Sequence, residues 1–196
     1  MVDFQHLLWK SYCKGMVECK DCFRDDIIEK FTDVPFWIPQ PDIVIVGQAP
    51  SLNRTNAGET FGARSKPVFD AFLKELGIPR YRAYTTNLAH CTVPGAVEGS
   101  VKRCLHWFRS ELSTIDCKYV VLMGKQVYDT VLEGQYGALA EVVFHEGRMY
   151  YPFAHPMRTI YGTYSLDDFL FDARKVKASI EMDRSLQKLD AFLPTS

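Results

Sequence analysis

The sequence has none of the long apolar runs that membrane proteins carry. No run approaches the roughly 18 residues that a membrane-spanning helix needs. Residues 1–6 show no basic stretch followed by an apolar core, so we expect no secretory signal. Internal repeats and low-complexity segments are also missing from the sequence. We therefore expect a cytoplasmic protein with a single domain over residues 1–196, a length that suits one sizeable core.

The chain also has no excess of charge of either sign. Its formal net charge at pH 7 is −1, with 24% charged and 47% hydrophobic residues. A protein that binds DNA mainly by neutralising phosphates is usually basic, so any DNA contact here must be local. The candidate basic clusters are Arg64/Lys66, Arg80/Arg82, Lys102/Arg103 and Arg158. Taken alone, each cluster is equally well explained as ordinary solvated charge.

Six cysteines are too few for a disulfide scaffold in a chain of this length. Without a secretory signal we expect reduced thiols, which favours metal or cluster binding. Cys19 and Cys22 form a C-x-x-C pair, for which a chance pair or a redox dithiol is an alternative. Cys91 follows a predicted strand, and Cys104 lies on the next predicted helix. Four thiolates suit either a tetrahedral zinc ion or a [4Fe–4S] cluster, and their chemistry alone does not separate the two.

Apolar runs of strand length alternate with stretches of helical period along the chain. The predicted strands are 42–46, 83–87, 118–123, 141–144 and 149–153. The predicted helices lie between Ser65 and Gly77 and over 101–112, 125–132 and 166–190, the last capped by Ser165. This alternation indicates an α/β fold with helices on both faces of a mainly parallel sheet. We expect a three-layer sandwich around a central four-stranded sheet, preceded by a proline-rich connector at 33–41.

Three polar loops follow predicted strands, and none was needed to predict the sheet. They are Gly47–Pro50, Asn87–Cys91 and His155–Arg158. Open α/β sheets bind their ligands outside the carboxyl ends of the strands. The functional site is therefore expected where these three loops meet.

The cysteines and these loops together resemble the family 4 uracil-DNA glycosylases, the iron–sulfur branch of the uracil-DNA glycosylase superfamily. That family joins a C-x-x-C near the N-terminus to a cysteine after a Thr-Asn strand end and another on the next helix. The matching residues are Cys19, Cys22, Cys91 and Cys104, with a slightly shorter last interval. The resemblance covers residues 13–165 and implies a structural [4Fe–4S] cluster, with zinc as the alternative. Residues 1–40 would then be an arm that contributes two cluster cysteines, while Cys117 is interpreted as a core residue and Cys13 stays undecided.

The resemblance also implies which residues hold a flipped base. The family motif G-E-A-P-G corresponds to 47–51, and the pocket would be lined there by Gly47, Gln48 and Ala49. Phe61 falls on the position that stacks on the base, although a core role is an alternative. Asn87 falls on the position that reads the base edge, with support of a turn as the alternative. Its amide matches the O4 acceptor and N3–H donor of uracil, whereas cytosine offers the opposite pattern.

His155-Pro156 corresponds to the family's H-P-S loop. The imidazole would face O2 of the departing base and stabilise the negative charge that builds as the glycosidic bond breaks. Met157 and Arg158 replace the usual serine and its neighbour. They would fill the gap left by the flipped base or contact phosphate.

One departure from the family concerns the chemistry. Gln48 stands where family 4 has an acid, and residues 52–55 carry no carboxylate. Loss of one positioned acid or base lowers a rate by roughly 10²- to 10⁴-fold. A dissociative cleavage needs leaving-group stabilisation more than a strong nucleophile, so His155, Asn87 and Gln48 are the expected catalytic residues. Glu59 and Asp70 are the nearest other carboxylates in the sequence.

The resulting prediction is a monofunctional DNA glycosylase that excises uracil or a related deaminated base and leaves an abasic site for base-excision repair. Gln48 and Ser51 leave open a glycosylase for another modified base, such as a modified cytosine in defence against phage. A non-catalytic binder of uracil-containing DNA is a further alternative, as is a zinc or redox protein unrelated to DNA. The expected partner is DNA, with no membrane association, and we expect a monomer.

Overall fold

The structure is a computed structural model that describes residues 4–21, 31–32, 34–38, 40–50, 61, 63–92 and 97–190. The strands in this part of the chain are β1 (Phe31–Thr32), β2 (Ile43–Gly47), β3 (Ala83–Asn87), β4 (Cys91–Thr92), β5 (Tyr119–Met123), β6 (Val143–His145) and β7 (Arg148–Phe153). The helices are α1 (Phe4–Glu18), α2 (Lys66–Leu76), α3 (Val97–Ser113), α4 (Lys125–Leu132), α5 (Met157–Ile160) and α6 (Leu166–Asp190). The main sheet has the strand order β3-β2-β5-β7-β6. Together with the α-helices it forms the expected α/β fold.

The described sheet has five strands, so the expected count of four is wrong by one. Strands β3, β2, β5 and β7 are parallel to their neighbours, and β6 pairs antiparallel with β7. The fifth strand is β6, which the sequence predicts as a strand at 141–144 without counting it in the sheet. It joins the sheet because Glu146 and Gly147, with φ of 46° and 76°, fold the chain directly back in a two-residue hairpin turn. The four parallel strands match the expected sheet, and β6 covers its edge.

Two apolar layers cover the sheet. Every residue of β2 and β5 is buried, as expected for strands covered by helices on both faces. Ile43 and Ile45 pack in the layer of α2 and α6, whereas Val44 and Val46 pack in the layer of α3 and α4. This alternation along one strand confirms the three-layer arrangement.

The helix ends follow local signals in the sequence. Gly77 ends α2 in the left-handed conformation at φ 71°, and its N–H donates to the Lys74 carbonyl. Ser65 takes the N-cap position of α2, although its hydroxyl makes no capping hydrogen bond within the described chain. Ser165 caps α6, because its Oγ accepts a hydrogen bond from the Asp168 N–H at 3.0 Å.

Helix α1 packs on α3 and is the main described element of the predicted N-terminal arm. Tyr12, Cys13 and Met16 form its buried face. A Cβ built on Gly15 would lie 2.9 Å from the Trp107 ring, so the two helices cross closely there. In the described part of the chain, no helix combines the length and apolar character that crossing a membrane requires. The single-domain organisation stays a prediction.

Candidate active site

The ends of β2 and β3 meet in direct contact at the carboxyl edge of the sheet. Gly47 and Asn87 are paired residues in the parallel register of these strands. A Cβ built on Gly47 would lie 2.5 Å from Asn87 Oδ1 and 3.4 Å from Phe61 Cζ. Glycine is therefore required for the Asn87 carboxamide to sit where it does, while the Phe61 ring lies at ordinary contact distance. The three residues therefore lie side by side at this edge of the sheet.

Other aromatic rings lie next to Phe61. The Phe61 ring stacks on Phe69 of α2, with ring centroids 4.5 Å apart and an interplanar angle of 17°. Its centroid lies 6.0 Å from that of the His155 ring. Phe61 is only 4% exposed and belongs to the apolar core, as its alternative interpretation held. The ring nevertheless lies between the core and His155, so Phe61 is both a core residue and a neighbour of the site.

His155 follows the end of β7 and is held in one orientation by the backbone. The Met157 N–H donates to His155 Nδ1 at 3.1 Å, and burial lowers the pKa of the imidazole. A ring whose Nδ1 accepts a hydrogen bond carries its proton on Nε2 when neutral. Gly124, directly after β5, lies beside His155, since a Cβ built on it would be in ordinary contact with His155 Cβ at 3.6 Å. The site therefore holds a neutral imidazole with an Nε2–H donor.

Backbone hydrogen bonds join the loop after β2 to the loop after β3. The Leu88 N–H donates to the Gly47 carbonyl, and the Ala89 N–H donates to the Gln48 carbonyl, both at 2.9 Å. Gln48 and Ala49 are half-buried beside this junction. The predicted pocket residues Gly47, Gln48 and Ala49 are thus fixed in position against the Asn87 strand end.

Of the two other carboxylates considered from the sequence, the described one, Asp70, does not add an acid to this site. Ser51, residues 52–55 and Glu59 lie outside the described residues. Asp70 is exposed on α2 and accepts a hydrogen bond from Lys66 at 2.6 Å. Asp70 is therefore a surface ion-pair partner.

Arg158 is exposed in α5, directly beyond His155. Its guanidinium lies 5.3 Å from the centroid of the Tyr164 ring, and its Nη2 donates to the Thr163 carbonyl at 3.4 Å. Other basic candidates are engaged elsewhere: Arg82 Nη2 lies 2.7 Å from Asp42 Oδ1 at the opposite edge of the sheet. Arg158 is thus a basic candidate that adjoins His155 along the chain.

Three of the four predicted cysteine ligands belong to the described residues, and they lie on or next to elements that pack together. Cys91 and Cys104 are buried, at 8% and 4% exposure, and Cys19 is half-buried just after α1. Cys22 lies outside the described residues. In the described ranges, no group of three or more His, Cys, Asp or Glu side chains is gathered closely enough to hold a metal ion. The three described cysteines, Cys19, Cys91 and Cys104, thus lie on or beside elements of one region, and the assembly of the four-cysteine set stays a prediction.

Two contacts bear on whether this region fits a cluster. Arg103 Nη1 donates to the Asp21 carbonyl at 3.4 Å, and His106 Nε2 lies 3.7 Å from Asp21 Oδ2, so the chain after Cys19 adjoins α3. Trp107 Nε1 is buried and has no hydrogen-bond partner among the described residues. It lies one turn from Cys104, and hydrogen bonds to cluster sulfurs are a common use of such donors. The thiol set and this donor fit an iron–sulfur group.

The two remaining cysteines have surroundings that disfavour metal binding. Burial raises the pKa of Cys13 to about 12, with a further contribution from Glu111. Burial also raises the pKa of Cys117 to about 11, and its Sγ donates to the Tyr119 carbonyl at 3.5 Å. Metal ligation needs the thiolate, so both thiols are poor ligands. They act as small core residues.

The sequence analysis missed a buried polar cluster behind Asn87. It contains Tyr84, His90 and Glu111, which are 0%, 1% and 0% exposed. A signal was present, because Glu111 interrupts the apolar face of α3 at a position in helical spacing with Phe108 and Cys104. An acid on the buried face of a helix indicates a hydrogen-bonded site rather than a solvated charge.

Comparison with known proteins agrees with the fold. The family model of the uracil DNA glycosylase superfamily matches residues 35–176, more than half of the chain. The chain belongs to this superfamily, and the resemblance found from its motifs is confirmed.

A particular relative is the type-4 uracil-DNA glycosylase of Sulfurisphaera tokodaii. It is 25% identical over 118 residues, which cover 56% of this chain and 51% of the relative. The chain spans about half the length of this curated relative. Membership of the superfamily identifies a DNA glycosylase fold. It does not identify the base that is removed or the repair pathway.

Proposed function

We propose that the protein is a monofunctional DNA glycosylase that excises uracil, or a related deaminated base, from DNA in base-excision repair. The observation that carries the proposal is the meeting of Gly47, Phe61, Asn87 and His155 at the carboxyl edge of the parallel sheet. The resemblance to family 4 implies a site role for each of these residues, which supports the proposal. DNA is the proposed partner, and we propose that the enzyme works as a monomer in the cytoplasm.

Base recognition rests on Asn87. Its carboxamide pairs a donor with an acceptor, which complements O4 and N3–H of uracil. The side chain is 2% exposed, so a base that reaches it must leave the DNA helix. Phe61 and Asn87 both lie against Gly47, and the Phe61 ring is proposed to stack on the flipped base. The close packing at Gly47 holds the amide and the ring in a fixed relative position.

Leaving-group stabilisation rests on His155. As the bond between C1′ and N1 breaks, its electron pair moves to the base and negative charge develops on O2. The Nε2–H of a neutral imidazole donates to that oxygen, and no proton needs to be transferred in the step. The Met157 N–H opposes protonation of Nδ1 and so keeps the ring neutral. Water then adds to C1′, and its proton is released to solvent.

Gln48 has a different role from the acid of family 4. Its amide orients water by hydrogen bonding but cannot remove a proton. A low rate with an intact fold is therefore expected relative to enzymes that carry the acid. Arg158 is proposed to contact a phosphate beside the flipped nucleotide, since it is exposed on the helix that follows His155.

Cys19, Cys22, Cys91 and Cys104 are proposed to hold a [4Fe–4S] cluster, with zinc as the less favoured occupant. The group would supply a covalent cross-link between the segment after α1 and the loop beyond Asn87. Arg103 and Trp107 would support it from α3, through the Asp21 carbonyl and an unshared N–H respectively. No electron transfer is part of the proposal.

The test is base release from a short oligonucleotide that carries one uracil, followed by alkaline cleavage of the abasic site. We expect cleavage at uracil but not at thymine or cytosine, and loss of product in His155→Ala. His145→Ala is the matched control, since His145 lies on the β6–β7 hairpin. No product at high concentrations of anaerobically purified protein would overturn the proposal.

A second candidate function follows from Gln48. Without an acid in the first loop, the pocket floor differs from that of the family, which favours either another modified base or binding without turnover. A panel of duplexes with modified cytosines distinguishes these outcomes. Release of a modified base supports the first, and tight uracil-DNA binding without any product supports the second.

A further inference from the structure

Glu111 is a fully buried acid that lies outside the site described above. It projects from α3 toward β3 and is 0% exposed. Tyr84 Oη donates to Oε1 at 2.6 Å, and Thr86 Oγ1 donates to Oε2 at 3.0 Å. His90 Nε2 lies 3.5 Å from Oε2. A buried carboxylate with fewer partners would be strongly destabilising, so these contacts are what allow an acid at this position.

The contacts of Glu111 flank Asn87 on both sides along the chain. Thr86 immediately precedes Asn87, and His90 follows it by three residues. Successive side chains of a strand point to opposite faces, so Thr86 faces α3 while Asn87 faces Gly47. The hydrogen bond from Thr86 to Glu111 on the α3 face fixes the rotation of the strand end about its axis. That rotation decides where the Asn87 carboxamide points.

The same cluster connects α1 to the strand. Tyr12 Oη lies 3.1 Å from His90 Nε2, and Trp9 Nε1 donates to Tyr84 Oη at 3.3 Å. Helix α1 is thereby bonded to β3 and to the loop beyond it by groups that are independent of the cysteines. A well-satisfied buried network of this kind specifies a single geometry more than it adds stability.

We propose that Glu111 is a positioning residue for base recognition, which holds the β3 end so that the Asn87 carboxamide faces the flipped base. The inference rests on the proposed function, because it takes Asn87 as the group that reads the base. A small misplacement of a reading group weakens the reaction by up to about 10²-fold without any loss of fold.

Two variants test the inference. Glu111→Gln replaces one carboxylate oxygen with an amide NH₂, which cannot accept the hydrogen bond that a hydroxyl group donates to Glu111. Thr86→Val removes one of the two hydroxyl donors at nearly constant volume. Both should lower kcat/KM for uracil excision on the order of 10- to 100-fold. Both should also weaken binding of free uracil, measured by calorimetry, while affinity for DNA that carries an abasic-site analogue stays unchanged. A lower fraction of folded protein would reduce all three quantities together.

The controls separate positioning from stability. Thr86→Ser retains the hydroxyl group and should therefore bind uracil with wild-type affinity. Asp183→Asn alters a carboxylate that accepts from Tyr119 and Lys118 at the far end of the sheet, and should leave uracil affinity unchanged. If Glu111→Gln does not fold, Thr86→Val still decides the question. Wild-type uracil affinity in Thr86→Val would overturn the inference. Failure of the proposed function would be seen separately, because the wild-type protein itself would then neither bind uracil nor release it from DNA.

Discussion

The close approach of Asn87 to Gly47 makes a single methyl group a sensitive probe of the site. In Gly47→Ala the new Cβ would lie 2.5 Å from Asn87 Oδ1, a distance that forces the carboxamide to move. We expect kcat/KM for base release to fall on the order of 10²-fold, because the amide is displaced from the base edge.

The matched control for this change is Gly137→Ala. Its Cβ would also come within 2.5 Å of an oxygen, but that oxygen ends the exposed, flexible side chain of Glu141. The control should retain wild-type activity, and thermal unfolding should show that both variants fold. Equal activities of the two alanine variants would contradict the assigned contact.

The protonation state of His155 gives a second prediction at the residue scale. Burial lowers its pKa, so the ring is neutral at pH 7 and becomes cationic only below its ordinary value of about 6.5. Protonation of Nδ1 breaks the hydrogen bond from Met157 and changes the orientation of the ring. Activity should therefore be constant above that pH and fall on acidification.

The measurement is kcat/KM for uracil release from about pH 5 to pH 8. His155→Asn should be slower by roughly 10²- to 10³-fold and should lose the acidic limb of the profile. An activity that rises as the pH falls through 6.5 would show that the cationic ring is the working form, contrary to the geometry of Nδ1.

Residues that follow strands were predictable, because each strand ends in the loop that carries chemistry. Asn87 and His155 were found in this way, and the structure places both at one edge of the sheet. Glu111 and His90 were not found, because their role depends on a helix and a strand that meet only in three dimensions. The assembly of the predicted cysteine ligands is another long-range property, and it stays a prediction.

At the scale of elements, the start of α6 offers a test of stability apart from chemistry. Ser165 Oγ accepts from the Asp168 N–H at 3.0 Å and donates to Asp168 Oδ2 at 2.6 Å. Ser165→Ala removes both bonds and should lower the free energy of unfolding by about 1 kcal/mol. Urea unfolding should show a lower midpoint at an unchanged slope, with base release unaltered.

Ser165→Asp is the control for this helix cap. An aspartate at the N-cap accepts the same backbone N–H, so it should retain most of the stability. Since α6 packs along α2, the loss in Ser165→Ala should affect the whole domain cooperatively. An unchanged midpoint would mean that the first turn of α6 contributes little to folding.

The elements differ in how clearly the sequence marks them. Helix α2 is bounded by a proline near its start and a left-handed glycine at its end, and its predicted bounds agree with the structure. Helix α1 went unnoticed, because its apolar residues are spread around the helix. Phe4, Leu7 and Leu8 are exposed while Tyr12 and Met16 are buried. Without one apolar face, period alone does not reveal such a helix.

At the scale of the whole molecule, the proposed cluster makes a prediction about metal content. Protein purified without oxygen should be brown and contain about four irons per chain. Cys104→Ser should lose the visible absorbance and the iron. Cys117→Ser should retain both, since Cys117 is buried, donates to the Tyr119 carbonyl and has a raised pKa.

The outcome separates the candidates for the cysteine set. One zinc per chain in a colourless protein would support the zinc alternative. Equal iron loss in both serine variants would contradict the assignment of ligands, because it would trace the loss to unfolding rather than to a missing thiolate.

The order of the strands has a consequence for synthesis on the ribosome. Strand β5 lies between β2 and β7, with Val120 opposite Val44 on one side and Tyr150 on the other. The partners of β2 are β3 and β5, and Met123 at the end of β5 follows Gly47 at the end of β2 by 76 residues. The apolar β2 therefore waits for its last partner strand for about 4 to 15 s at ordinary elongation rates. Every residue of β2 is buried in the finished fold, so the nascent chain is prone to misassociate during this interval.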